Sequence, residues 1–315
     1  MPYLLLLAYL LPRTTAIVTC KKSSSAFSTF GFTGSLLYTL ETSILSLLVY
    51  WMANGFKLSF NGTVLIYGAG YGFFAFFCLL ITVFMYNYGS ITLVNFVSSI
   101  VSLISSSVFG ALLLGEKITP ALVMRVALML LCVFIIYWGA RKGEETNRVA
   151  EQKAGDMTKK EKKFSPLSFI LPSLYALSGL AATFLVKYYT ADPTATDTNS
   201  LFFTVNIFSL IYTLPLLYFA SKKQKLGFKQ VALTCVNKRS LIVVLNSVVG
   251  GVQTIITALL IERMDVALYT PVTSAIGYIA LAVATPIVRE KLDRYMVTAT
   301  VIAILSIFLP MFIFG

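Results

Sequence analysis

At 315 residues the chain is 57% apolar and only 12% charged, with a mean hydropathy of +0.83 and a formal net charge of +12. A soluble domain carries about a quarter charged residues, so the composition excludes a water-soluble globule and makes lipid the main solvent. Histidine is absent, which removes the commonest general base and metal ligand near neutral pH, and the four scattered cysteines (Cys20, Cys78, Cys132, Cys235) read as small apolar fillers.

Ten apolar segments follow one another: about 2–20, 30–53, 63–86, 90–114, 120–139, 166–187, 201–220, 240–261, 266–288 and 295–314. Each is near the ~20 residues a helix needs to cross a bilayer. The predicted fold class is therefore all-α integral membrane, with ten transmembrane helices. The first segment lacks the basic n-region of a signal peptide and is interrupted by Pro12 and Arg13, so it reads as a membrane segment. Arg13 either snorkels to the interface or marks a helix broken at a binding site. The second segment holds Glu41 near its middle, where lipid leaves a carboxyl neutral, paired or a proton carrier. Glu41 is the coupling candidate. The third ends in Tyr86, Asn87 and Tyr88, either interface anchors or substrate contacts.

The fourth segment is rich in small hydroxyl residues, which let helices approach closely. Within it Asn95 and Ser98 are three apart and share a face, and they are candidate substrate ligands. A polar turn, GEKIT at 115–119, precedes Pro120, which suits the first turn of the next helix. Residues 140–165, ARKGEETNRVAEQKAGDMTKKEKKFS, mix both charge signs with almost no large apolar side chain and read as a flexible linker. The sixth segment ends at Lys187, either an attractor for an anionic solute group or a snorkelling lysine. The basic stretch 221–239 suits a short helix on the membrane surface. In the eighth segment Asn246 and Gln253 lie two turns apart on one face, with Gly250 between. Amides donate and accept at once, which suits a neutral or zwitterionic solute, or a bond between helices. The ninth offers Tyr269, Thr270 and Thr273, with Pro271 near its start. That proline is either helix-start chemistry or frees a carbonyl for a ligand.

The halves echo each other. GEKIT at 115–119 has a counterpart, REKLD at 289–293, and each follows a long apolar segment and precedes the last one of its half. The units 1–140 and 166–315 thus hold five segments each, joined by 141–165. An odd number inserts the second unit upside down, the inverted repeat from which many transporters build two alternately open states. The run VNFVSSIVSLISSSVFGALLLGEKITPALVMRVALMLLCVFIIYWG resembles the end of an EamA-type repeat of the drug/metabolite transporter superfamily. LYTPVTSAIGYIALAVATPIVREKLDRYMVTATVIAIL resembles the second copy, and FLVKYYT at 184–190 adds Lys187 at the close of that copy's first helix. The resemblance implies a ten-helix bundle around a central cavity. Helices 1, 3, 4, 6, 8 and 9 would face it, with 2, 5, 7 and 10 at the periphery and both termini in the cytoplasm. The charges disagree on orientation. Of the 25 Lys and Arg, 19 fall in the alternate loops 21–22, 141–163, 222–239 and 289–294. The positive-inside rule puts those loops in the cytoplasm and the termini outside, and the charge count is preferred.

The expected function is a secondary transporter of a small polar or amphipathic metabolite, working by alternating access without ATP. No GxxxxGK[ST] phosphate loop is present for primary pumping. Neither a cofactor nor a metal is expected. A proton-coupled multidrug exporter is the alternative within this class. Outside it stand a lipid-carrier enzyme, which would need convergent acid–base or metal groups, and a membrane protein without flux. Expected partners are a small-molecule substrate and membrane lipid, with a homodimer as a further option, and no nucleic acid. The expected location is the cell membrane, as a multi-pass protein.

Overall fold

The computed structural model describes residues 2–27, 31–88, 91–115, 117–154, 166–223, 240–288 and 294–314. Among them are ten helices and no strand. In chain order they are α1 (Pro2–Phe27), α2 (Gly31–Ala53), α3 (Gly62–Tyr88), α4 (Ile91–Leu114), α5 (Pro120–Ala154), α6 (Leu167–Ala191), α7 (Thr198–Lys223), α8 (Ser240–Arg263), α9 (Val266–Ile287) and α10 (Arg294–Phe314). All but α1 are long and apolar enough to cross a membrane, giving nine candidate spans among the described residues. Large apolar side chains such as Phe134, Trp138, Val301 and Phe308 on α5 and α10 face outward. Lipid is the solvent that accepts such a surface. The chain is a multi-pass integral membrane protein.

One expectation about connections needs adjustment. The fifth helix does not stop at the end of its apolar stretch. It runs to Ala154, so residues 141–154 of the expected flexible linker are helical. Glu, Arg, Lys, Gln and Ala are strong helix formers, and adding a turn to an existing helix avoids the cost of a new nucleus. The rest of the linker (155–165), Glu116, most of the expected surface helix (224–239) and REKLD at 289–293 lie outside the described residues. The remainder of GEKIT does break the helix. Gly115 takes a φ of +64°, a left-handed conformation open to glycine. The Thr119 hydroxyl accepts the Leu122 N–H at 3.2 Å, an N-cap, and Pro120 opens α5.

Small residues set the close packings. A Cβ on Gly68 would lie 2.5 Å from Thr204 Cγ2, and one on Gly72 would lie 2.9 Å from the Val205 carbonyl oxygen. These two glycines, four apart on one face, let α3 lie directly on α7. Ser43 on α2 shares a hydrogen bond with Ser209 on α7 at 2.9 Å. Gly139 sits under the Tyr295 ring where α5 meets α10. The central helix α1 packs on α8 and α9, and α4 packs on α6 and α9.

Hydrogen bonds knit one end of the bundle around the last turn of α6 and the loop after it. Asn61 Nδ2 donates to the Thr194 carbonyl at 2.7 Å, and the Ser59 N–H donates to Ser200 Oγ at 2.9 Å. The Tyr188 hydroxyl donates to the Leu113 carbonyl at 3.2 Å. In the same loop Asp192 accepts from the Thr194 hydroxyl and N–H, and these donors hold its carboxyl below the ordinary range. The α2–α3, α4–α5 and α6–α7 connections therefore share one end.

Candidate binding cavity

A cavity of ≈ 450 Å³ lies inside the bundle, within the range of small-molecule sites. Among the described residues, eight helices contribute to its wall, and α5 and α10 contribute none. Gly179 on α6 and Gly250 on α8 deepen it, since a Cβ at either would meet nothing within 4 Å. The expectation that α2 and α7 stay at the periphery is corrected. Tyr38, Thr42, Ser46 and Tyr50 of α2 and Phe202, Val205 and Asn206 of α7 line the space. Their polar residues fall at helical spacing along faces that the sequence disguises, because the opposite faces are equally apolar.

Seven of the eight expected substrate ligands line the cavity: Asn95, Ser98, Asn246, Gln253, Tyr269, Thr270 and Thr273. Most of their polar atoms already have partners. Asn246 is the hub of a buried cluster. Its Oδ1 accepts from Thr19 Oγ1 at 2.7 Å and from Cys20 Sγ at 3.3 Å, and its Nδ2 donates to the Tyr38 hydroxyl at 3.0 Å. That cluster joins α1, α2 and α8. Gln253 Nε2 donates to the Tyr9 hydroxyl at 3.1 Å. Asn95 Nδ2 folds back on the Ile91 carbonyl, and Ser98 Oγ reaches the Pro172 carbonyl of α6 at 3.2 Å. The Thr270 and Thr273 hydroxyls return to carbonyls one turn back on their own helix.

The eighth expected ligand lies elsewhere. Lys187 does not line the cavity. Its Nζ donates to the Ile261 and Met264 carbonyls, each at 3.0 Å. A helix leaves its last four carbonyls unpaired, and a cation there also meets the negative end of the helix dipole. Lys187 thus closes the C-terminal end of α8. Glu41 is buried in α2 and does not line the cavity either.

Arg13 neither snorkels nor marks a break in its helix. The helix α1 runs unbroken through Pro12, and Arg13 lies midway along it, at the cavity wall. Tyr9, Tyr86, Tyr175 and Cys20 line the same cavity. A charged residue midway along a spanning segment was the available signal. Helical spacing alone could not separate a lipid-facing arginine from a cavity-facing one.

The chain matches no protein-family model and no curated protein. Among solved structures 24 chains match. One, described only as "Crystal structure of protein", has a TM-score of 0.61 and 17% sequence identity, and the match covers 98% of this chain and 99% of that one. At that identity the likeness extends to the fold and no further.

Proposed function

We propose that the protein is a secondary transporter, moving a small polar or amphipathic metabolite by alternating access without ATP. The observation that carries this reading is the cavity: lined by polar as well as apolar side chains, inside a bundle of apolar helices, and walled by both halves of the chain. A transporter needs such a site at the depth of the membrane, and a structural membrane protein does not.

The packing supports two inverted repeats of five helices. Adding five to each helix of the first half gives its counterpart, and the neighbours correspond. The α1–α8 and α1–α9 packings mirror α6–α3 and α6–α4, and α2–α8 mirrors α7–α3. The pairs α2–α7, α4–α9 and α5–α10 map onto themselves. This correspondence fits the resemblance to EamA-type repeats, and in it α1 counts as the tenth span. The cell membrane is the proposed location, with the basic connections in the cytoplasm. Glu41, the coupling candidate, is buried in α2 away from the residues that line the cavity.

Reconstitution into liposomes tests the reading. Radiolabelled neutral, zwitterionic and anionic metabolites are offered to preloaded vesicles. At least one class should exchange faster than in protein-free vesicles, and Gly250→Leu, which fills open cavity space, should abolish that exchange at unchanged melting temperature. No exchange above background for any class would sink the proposal.

A further inference from the structure

The cavity is electrically one-sided. Among the described residues that line it, Arg13 is the sole charged side chain; no Lys, Asp or Glu joins it. Its guanidinium makes no hydrogen bond or ion pair with the protein among the described residues. It lines the cavity together with Tyr86 of α3 and Tyr175 of α6, and a Cβ on Gly277 of α9 would come only within 4.0 Å of its Nε. Five forked donors held midway through a membrane protein, without a counter-charge, are costly unless something else pairs with them. The protein leaves that place to a ligand.

The chemistry of the ligand follows from the count of charges. One guanidinium presents two parallel N–H groups that match one carboxylate. A phosphate dianion would leave a net negative charge in the cavity with no second cation to meet it. A zwitterion would bring an ammonium into a wall that offers no carboxylate. The rest of the wall suits an uncharged, flat body, with Tyr50, Tyr71, Phe202 and Tyr269 contributing ring faces and edges. We propose that the cavity takes a small organic monocarboxylate, its carboxylate bidentate on Arg13 and its uncharged body among the aromatic side chains. This names the substrate class of the transport reading and rests on it for the word substrate. The binding claim stands separately.

Calorimetry on the full chain in detergent, with four probes of similar shape, tests the claim. Phenylacetate should bind, and phenylacetamide, phenylphosphonate and L-phenylalanine should each bind at least ~10-fold more weakly. Arg13→Gln should lose at least ~10-fold in affinity for phenylacetate and leave phenylacetamide unchanged. Arg13→Lys, which keeps the charge without the fork, should fall between. The inference is overturned if phenylacetate fails to bind at millimolar concentration, if the amide equals it, if phosphonate or amino acid binds tighter, or if Arg13→Gln retains full affinity. The comparison of probes on the unaltered protein needs no variant to fold. Liposome flux separates the two readings. Phenylacetate that binds through Arg13 while no solute class exchanges would leave the anion site intact and overturn transport. Phenylacetate that crosses equally well in Arg13→Gln would do the reverse.

Discussion

At the scale of single residues, a polar group inside this bundle is explained by whatever satisfies it. Asn246 is engaged at both its amide oxygen and its amide nitrogen, with Thr19, Cys20 and Tyr38 as partners. Asn246→Ala leaves the Tyr38 hydroxyl without that partner and should cost about 1–3 kcal/mol of stability. Thermal unfolding in detergent checks this, and an unchanged midpoint would mean that water replaces the amide at no cost. Lys187→Met removes two charged hydrogen bonds from the end of α8 and should cost a similar ~1–3 kcal/mol. Ligand affinity should stay unchanged, since Lys187 is not at the cavity wall. A large loss of affinity at unchanged stability would return Lys187 to the site. The sequence singled out both residues because amides and lysines are rare in lipid. It could not say whether a protein group or a ligand satisfies them, because that depends on a neighbour far along the chain, 208 positions away for Asn246 and Tyr38 and 74 for Lys187 and Ile261. Arg13 shows the converse: its chemistry was conspicuous in the sequence, but which way it faces was not.

At the scale of elements, most helices were legible and their contacts were not. Hydrophobic length located the nine candidate spans among the described residues to within a few residues, because the bilayer imposes it. The continuation of α5 to Ala154 was missed, since the charges that signal water solubility come from residues that also propagate helix. The cavity faces of α2 and α7 were missed because the resemblance assigned both helices to the periphery. Glycine spacing carries the contact between α3 and α7. Gly72→Ala pushes a methyl group against the Val205 carbonyl, where backbone cannot yield as a side-chain tip can. Such overpacking should cost about 1–3 kcal/mol. Gly250→Ala, into open space, should be neutral or slightly stabilising because alanine favours helix. Melting temperatures of the two variants, compared side by side, check the contrast. Equal effects would mean that α3 and α7 pack less tightly than the structure describes.

At the scale of the whole molecule, the asymmetry of charge gives an orientation that can be measured. Lys57 lies in the α2–α3 connection, at the hydrogen-bonded end, and Lys222 lies at the end of α7. In a Cys235→Ser background, Lys57→Cys should react with a membrane-impermeant maleimide added to intact cells. Lys222→Cys should react only after permeabilisation. The reverse pattern would favour the orientation implied by the family resemblance over the charge count. The two ends differ in one more respect, and it bears on speed. The Asn61–Thr194 tie lies on exposed loops, where each broken bond is promptly replaced by water at small net cost. The Asn246 cluster, toward the opposite end, is buried, and separating its members strands dipoles away from solvent. In a rocking bundle the first end would come apart in shallow, frequent excursions, while the second would wait on a rarer activated event. Turnover would then inherit the temperature coefficient of that slower step, whichever direction the solute travels.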